Sequence, residues 1–549
     1  MQTIMQVINI WRIGAIFYCL ICLFFNVAFS GVFAFLVLFS NLKTMAILQQ
    51  NHYYVLPTLK WLVLSKFKQI NLIDFVCSIV ILIINQIFIF AGVSLFYFCV
   101  LFLVLICKSY YFSRNNNLIK LKKELCITNR IKRLITVGFI FGFALFFVFQ
   151  WFAFFVSVYF VYFVYILHFV GFIVLLLSFY ILVPVEKLIS YSYILKARRK
   201  LKCYSDLTIV AITGSFGKTS TKNYLYEMLK VKYDVLCSPM SYNTPMGVTK
   251  TILERLKPYH KILVLEFGAD HKNDIKKLCN IVSPNISVVT SVGEQHLKTF
   301  KNVKNIIKTK YQIVEGTKPD GFFVTNLENE VCNSYYHKAQ VKSFGVGKSQ
   351  DCFCKIHSVQ TTKQGIIVSG IINNENFCLT TKLLGEFNAI NLCLALTVAY
   401  SLGVSVLDVE NVCEHILPVS HRLQLKRLNN GAVLIDDSFN SNPVGAKCAV
   451  ETLKLLGGTT IIITCGMVDL GEKQYDLNYQ FGTLLKDVDV VLIVNNVNYK
   501  AISDGLFSVG GNNPTLFNSF IDAYNFALKH ADDNATILIE NDLTDSYIL

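Results

Sequence analysis

The chain has 549 residues, of which 54% are hydrophobic, 13% aromatic and only 16% charged. That is too apolar for a wholly water-soluble protein and too long for a compact membrane bundle, so two unlike halves are expected. The formal charge of +15 gathers beside the apolar runs, which points the basic clusters at anionic lipid headgroups and argues against nucleic acid as a partner.

In chain order, the first apolar run covers residues 13–39, enough for one tilted crossing or a cramped pair. No A-x-A cleavage site follows, so the run reads as an anchor and not a removable signal. A loop with Lys43, Lys60, Lys66 and Lys68 leads to residues 70–106, long enough for a two-helix hairpin bending near Asn85 and Gln86. A second basic loop carries Arg114, Lys120, Lys122, Lys123, Arg130 and Lys132. The last apolar block, residues 134–183, needs two crossings at about twenty residues each. It stops at Pro184, and Lys187, Lys196, Arg198, Arg199, Lys200 and Lys202 follow. With the two later blocks as hairpins, all three basic segments share one side, and the positive-inside rule assigns that side to the cytoplasm. Residues 1–200 are therefore expected to form a membrane region of five or six transmembrane helices, multi-pass in the cell (inner) membrane, with the rest of the chain in the cytoplasm.

Residues 207–229, LTIVAITGSFGKTSTKNYLYEML, read as a buried strand, a glycine turn and an amphipathic helix. This is the layout of a phosphate-binding loop. The candidates are Thr213, Gly214, Ser215, Gly217, Lys218, Thr219 and Ser220. Gly214 and Gly217 let the backbone curl its N–H groups inward around an anion. Lys218 supplies a point charge for the β- and γ-phosphates of ATP, and the Thr219 hydroxyl is placed to ligate Mg²⁺. The common pattern G-x-x-x-x-G-K-[ST] would need glycine where Ile212 stands, so the loop is of a shorter kind.

Further strands are expected at residues 262–267, 286–290 and 322–325, alternating with helical patterns as in a parallel sheet with covering helices. A more β-like stretch, residues 352–384, reads as an insertion. A second α/β unit begins near Pro418, with strands at 432–436, 460–464, 488–494 and 536–539. Glu266 and His296 each follow a strand end, where open α/β folds place ligands. Either can serve a metal ion; Lys310, taken alone, reads as a surface lysine. The 17 cysteines show no C-x-x-C pair and no metal spacing, which fits reduced thiols. Cys352 and Cys354 are expected to alternate on a strand, one packed and one exposed.

Seven segments together carry a resemblance: TGSFGKTST (213–221), SYNTPMGV (241–248), LEFGAD (265–270), TSVGEQHLKTF (290–300), GEFNAIN (385–391), SHRLQ (420–424) and DDSFNSNP (436–443). In this order they resemble the Mur ligase family, the ATP-dependent amide-forming enzymes of peptidoglycan precursor synthesis, and within it the branch that adds D-alanyl-D-alanine. The resemblance covers residues 200–549. With the apolar half read above, the fold class expected is an α-helical transmembrane region followed by α/β, in which the resemblance implies a P-loop-type Mur ligase central domain over residues 201–415 and a Rossmann-like C-terminal domain over 416–549. By position, Lys218 resembles the phosphate-binding lysine and Thr219 the Mg²⁺ hydroxyl. Glu266 and His296 match metal ligands, and Lys310 matches a lysine carried as a carbamate beside the second Mg²⁺. Asn388 and Asn391 look like adenosine-side residues, and Arg422 and Asp437 like residues that close over the nucleotide. The resemblance implies ATP and Mg²⁺ as cofactors. It implies a muramoyl-peptide acceptor and D-alanyl-D-alanine or another amine as the second substrate; the apolar half in place of the nucleotide-sugar domain leaves the acceptor open as UDP-linked or lipid-linked.

The apolar half stands where soluble relatives carry the domain for the uridine-diphosphate-muramoyl end, and Phe387 stands where many carry histidine. Two other function classes compete. A transporter or flippase driven by a P-loop ATPase would need an ABC-type signature, which is missing, and the apolar runs hold few ionisable groups beyond Asp74 and His168. A non-catalytic ATP-binding scaffold would have no use for Lys218, Glu266, His296 and Lys310 together.

Overall fold

The computed structural model describes residues 34, 38, 41–51, 53–64, 125–155 and 171–542, apart from 241 and 440. These divide into one unit before residue 190 and another over 190–542. The expected crossings at 13–39 and 70–106 lie outside the described residues, save positions 34 and 38.

In the first unit the described elements are α1 (Leu42–Gln50), α2 (Val55–Leu64), α3 (Asn129–Phe155) and the start of α4 (Gly171–Lys202). Met45 and Leu48 of α1, Ile131 and Leu134 of α3, and Leu175, Phe179 and Leu182 of α4 form one buried apolar cluster. Where the composition turns polar, Arg133 grips Glu186 with two hydrogen bonds, Nε to Oε1 at 2.6 Å and Nη2 to Oε2 at 2.9 Å. Among the described residues one helix, residues 173–202, is long and apolar enough to cross a membrane by length and composition. The apolar block ends at Pro184, and α4 runs on through that proline for 18 more residues to Lys202. The polar residues after Pro184 are good helix formers, and a single missing N–H costs the helix less than they return.

Lys200 departs from the expected headgroup anchor. Its ammonium donates to the carbonyls of Ile252, Leu253 and Leu256 at 2.8, 3.0 and 2.8 Å. It thereby caps the helical segment that begins at Pro245 and ends in a π turn over Thr251–Arg255, whose last carbonyls have no partner of their own.

The second unit is built on two sheets. In the first, β1 (Thr208–Thr213) leads into α5 (Lys218–Leu229), then β2 (Val235–Cys237), β3 (Ile262–Glu266), α6 (Asp274–Val282), β4 (Ile286–Val289), α7 (Val303–Glu315), β5 (Phe322–Asn326), β6 (Lys342–Gly347), β7 (Cys354–Thr362), β8 (Gly365–Ile372), β9 (Glu375–Thr381) and α8 (Phe387–Ser401). The strand order is β2-β3-β1-β4-β5-β6-β7-β8-β9, parallel as far as β7 and antiparallel beyond it. Side chains alternate across the central strands. Val210, Ile212, Ile262 and Val264 face the core under α5 and α8, while Ile209, Ala211, Leu263 and Leu265 face the core under α6 and α7. Both faces are buried, which is why these strands read as unbroken apolar runs.

The β-like stretch expected at 352–384 forms a three-stranded meander that continues the same sheet, because β7 pairs with β6 in parallel. Cys354 opens β7 and is buried, but Cys352 lies in the turn before it, so the two do not alternate on one strand.

The second sheet comprises β10 (Gln424–Arg427), β11 (Val433–Asp437), α9 (Pro443–Leu456), β12 (Thr460–Thr464), β13 (Val490–Val494), β14 (Thr515–Phe517) and β15 (Thr536–Glu540). Its order is β10-β11-β15-β12-β13-β14, parallel except for the β10 edge. The central strand β15 ends in Glu540, 1% exposed, whose carboxyl accepts from Thr464 Oγ1 at 2.6 Å and from Ser441 Oγ. Burial pushes its pKa up to about 7, the two hydroxyls offset this in part, and Asp437 opposite it in the register adds to the rise. The folded chain thus holds this proton more tightly than the unfolded chain. Stability from the neutral carboxyl is full below pH about 4.5 and drains away as pH climbs towards 7, by at most about 3 kcal/mol. Glu540→Gln is therefore expected to raise the melting temperature at pH 8 and to leave it unchanged at pH 4.5, as scanning calorimetry at the two pH values will read.

Candidate active site

The phosphate-loop candidates stand between β1 and α5, at the carboxyl edge of the first sheet. Gly214 has φ +154° and Gly217 φ +78°. A Cβ on Gly217 would lie 2.3 Å from Asn391 Oδ1, so the turn needs glycine for space as well as for its backbone angle. Thr213 is buried and donates to the Phe267 carbonyl at 2.9 Å; Ser215 Oγ donates to the Gly293 carbonyl at 3.0 Å; Ser220 is buried. These residues clamp the turn to the strand ends on either side. Lys218 Nζ donates to the loop's own carbonyls at Gly214 (2.9 Å) and Ser215 (3.3 Å). Burial lowers its pKa, with Glu266 and Asp270 opposing. Gly217→Ala is expected to cost roughly 1–3 kcal/mol and to weaken ATP binding, read by thermal melts with and without nucleotide.

Glu266, 2% exposed at the end of β3, receives Thr219 Oγ1 on Oε2 at 2.9 Å and Asn243 Nδ2 on Oε1 at 3.0 Å. Lys222 Nζ lies 3.6 Å from the same Oε2. Two hard oxygen donors 2.9 Å apart have the spacing of neighbouring ligands around an ion that holds oxygens at about 2.1 Å in octahedral array, so the pair fits Mg²⁺. Among the described residues no three His, Cys, Asp or Glu side chains gather as a ready-made metal cage. A magnesium ion here would rely on a hydroxyl and phosphate oxygens to complete its shell.

Lys310, on α7, is 2% exposed, not the surface lysine its sequence context suggested. Burial brings its pKa down to about 7, the Lys218 ammonium adds to the fall, and Asp270 and Glu266 oppose it. His296 adopts φ +52° just before a short helical turn, and its Nε2 lies 3.3 Å from Asp270 Oδ1. Burial lowers the imidazole pKa, Lys310 and Lys218 lower it further, and Asp270 and Asp469 oppose, which favours the neutral, ligating form. Lys218, Asp270, His296 and Lys310 thus lie within electrostatic reach of one another, and Glu266 lies within reach of Lys218 and Lys310.

Asn388 and Asn391, near the start of α8, are buried and engaged within the protein. Tyr224 Oη donates to Asn388 Oδ1 at 3.0 Å, and Thr221 Oγ1 to Asn391 Oδ1 at 3.2 Å. In this conformation they brace α5 from behind. From the second sheet, the Arg422 guanidinium lies 4.9 Å over the Phe439 ring, and burial lowers its pKa against the pull of Asp437 and Glu266. Asp437 accepts from the Leu423 N–H at 3.2 Å; burial raises its pKa to about 6, with Arg422 opposing. Two further links join the sheets beside His296: Lys473 donates to Glu294 at 2.6 Å, and the Lys298 N–H donates to the Asp469 carbonyl at 3.2 Å.

Three residues in this cluster were not singled out from sequence. Asn243 and Asp270 lie inside quoted motifs, and Lys222 is spaced i+4 from Lys218, the same helix face.

A phosphate-type loop on a parallel sheet, with a second α/β sheet that carries Arg422 and Asp437 beside it, makes a two-module α/β architecture. Residues 212–399 match the Mur ligase middle domain, and residues 421–540 match the Mur ligase glutamate ligase domain, together more than half of the chain. The chain belongs to the Mur ligase family. It is 27% identical over 310 residues to the UDP-N-acetylmuramoyl-tripeptide–D-alanyl-D-alanine ligase of Buchnera aphidicola subsp. Baizongia pistaciae, covering 56% of this chain and 64% of the relative. The enzyme of the same name from Bacillus subtilis is 25% identical over 281 residues, covering 50% and 60%. The chain therefore spans about six tenths of the length of these relatives. Among solved structures, MurF from Thermotoga maritima in complex with ADP superposes with a TM-score of 0.59 at 24% identity, covering 65% of this chain and 81% of that one. MurF from Acinetobacter baumannii also gives 0.59, at 21% identity, covering 64% and 77%. These likenesses establish the fold.

Proposed function

We propose that the chain is an ATP-dependent amide ligase that adds D-alanyl-D-alanine to a muramoyl-peptide precursor. The observation that carries this reading is the gathering of Lys218, Thr219, Glu266, His296 and Lys310 at one sheet edge. A carboxylate is a poor acceptor for an amine. In the first step a carboxylate oxygen of the acceptor attacks the γ-phosphorus of ATP, the bond to the β–γ bridging oxygen breaks, and an acyl phosphate and ADP result. In the second the amine adds to the acyl carbon, phosphate leaves with the bonding pair, and the amine's proton is lost to solvent or base.

Lys218 and the loop N–H groups hold the β- and γ-phosphates. Thr219 and Glu266 would hold one Mg²⁺, and His296 with a carbamylated Lys310 would hold a second; ions bound there would supply neutralisation of the charge on the phosphates. Thr213, Gly214, Ser215, Gly217 and Ser220 shape the loop, and Asn388 and Asn391 support its adenosine side. Arg422 and Asp437 complete the site from the C-terminal domain, residues 416–549, when it closes on the central domain, residues 201–415, and excludes water.

Residues 1–200 take the place of the domain that soluble relatives use for the nucleotide end of the substrate. In this reading they form the five or six membrane crossings, the catalytic half faces the cytoplasm, and the muramoyl peptide is presented at the bilayer. The test is amine-dependent ADP formation by the full-length protein in detergent, with UDP-linked and lipid-linked muramoyl tripeptides as acceptors. ADP release that requires D-alanyl-D-alanine supports the ligase. ADP release indifferent to any amine would favour a transport ATPase, and preference for the UDP-linked acceptor would remove the membrane presentation.

A further inference from the structure

Lys222 is a buried cation that the reaction described above does not use. It is 1% exposed, among the largest fully buried side chains of the chain, and it lies one helical turn beyond Lys218 on the same face of α5. Ordering and burying an ammonium is costly unless each of its donors is used. Here two are spent on backbone carbonyls of the segment after β2, Ser238 O at 2.9 Å and Met240 O at 2.6 Å. The ammonium stands 3.6 Å from Glu266 Oε2, the oxygen that also receives Thr219.

The segment that Lys222 holds wraps Glu266 from the other side. The Glu266 N–H donates to Ser238 Oγ at 3.3 Å, Met240 is held at φ +44°, and three residues on, Asn243 donates to Glu266 Oε1 at 3.0 Å. Thr244 then caps the next helix by accepting the Gly247 N–H at 3.3 Å. One ammonium therefore reaches Glu266 twice: directly through charge, and indirectly through the loop that delivers Asn243.

We infer that Lys222 is a positioning residue for divalent-cation binding: it fixes the Glu266 carboxyl group in the orientation that, with Thr219, receives the magnesium of the ATP complex. At 3.6 Å the ammonium pairs with the carboxylate from outside hydrogen-bond distance, so the near contact on Oε2 is that of Thr219, the other oxygen donor assigned to the metal ion. This rests on the assignment of Glu266 and Thr219 to Mg²⁺.

The test uses full-length Lys222→Gln and Lys222→Met, with Glu266→Gln as the reference. Gln keeps a donor for the two carbonyls and removes the charge; Met removes both. Isothermal titration of ADP at increasing Mg²⁺ reads the metal dependence of nucleotide binding apart from turnover. Lys222→Gln is expected to raise the Mg²⁺ concentration for half-maximal binding by tenfold or more, and to leave metal-free ADP affinity within about twofold. A double variant Lys222→Gln/Glu266→Gln no weaker than Glu266→Gln alone would show that the lysine acts through the carboxylate. If Glu266→Gln shifts the Mg²⁺ dependence and neither lysine variant does, this proposal fails alone. If Glu266→Gln itself leaves the dependence unmoved, the metal assignment beneath it fails. A lysine variant that melts at lower temperature yet binds Mg²⁺–ADP normally would make Lys222 a buttress only and would overturn the inference.

Discussion

Lys218→Ala is expected to abolish ATP-dependent phosphate release. In-line transfer of a phosphoryl group leaves little covalent chemistry for the protein, so the rate comes from positioning and from neutralising charge on the phosphates. Lys218 is the cation nearest the turn, on the first residue of α5, and removing one such preorganised donor costs at least about 10²- to 10³-fold in rate. The substitution also removes two hydrogen bonds to the Gly214 and Ser215 carbonyls, worth about 1 kcal/mol each. Circular dichroism and melting must therefore accompany the assay. A folded variant that still turns over ATP would take the loop out of the mechanism.

The second large effect is expected at Lys310. A lysine buried to 2% exposure with its pKa brought down to about 7 presents an uncharged amine at pH 8. Only that form adds to carbon dioxide: the amine nitrogen bonds to the carbon, and one proton leaves. The product would be a carboxylate beside the second Mg²⁺ of the proposed mechanism, where an ammonium would repel the ion. Lys310→Ala is expected to lose activity by at least about 10²-fold. The wild type in carbon-dioxide-free buffer at pH 8 is expected to lose activity that added bicarbonate restores. Partial rescue of the alanine variant by a small carboxylate such as formate would show that the missing group is an anion. Activity indifferent to carbon dioxide would show that Lys310 acts as the plain amine, and the assignment of a carbamate would fall.

Much of the fold was readable because the signals were local and strong. The buried parallel strands β1, β3, β4 and β12 are short apolar runs, and each was located to within a residue or two. What was missed depended on partners far away in sequence. β2, β10 and β14 are three or four residues long and are strands only because a neighbour's edge accepts them. The meander β7–β9 has ordinary hairpin turns, and nothing local says that it joins an existing sheet through β6. At the site, Lys218 and Thr219 were legible from the loop grammar. Lys222 was not, since a lysine on an amphipathic helix is by default a solvated one, and only tertiary placement shows it buried against Glu266. Lys310 carried the same default and was read otherwise only through the resemblance.

The passage of α4 through Pro184 has a consequence for depth. A proline inside a helix frees the carbonyl four residues earlier, that of Tyr180. In hydrocarbon an unpaired carbonyl costs several kcal/mol. A helix of this composition entering a bilayer would settle with that carbonyl among water and lipid glycerol groups. Tyr180 itself presents an exposed ring at that level, and tyrosine, with tryptophan, prefers this boundary. Proline and tyrosine together would then serve as a waterline, fixing how far the helix sinks.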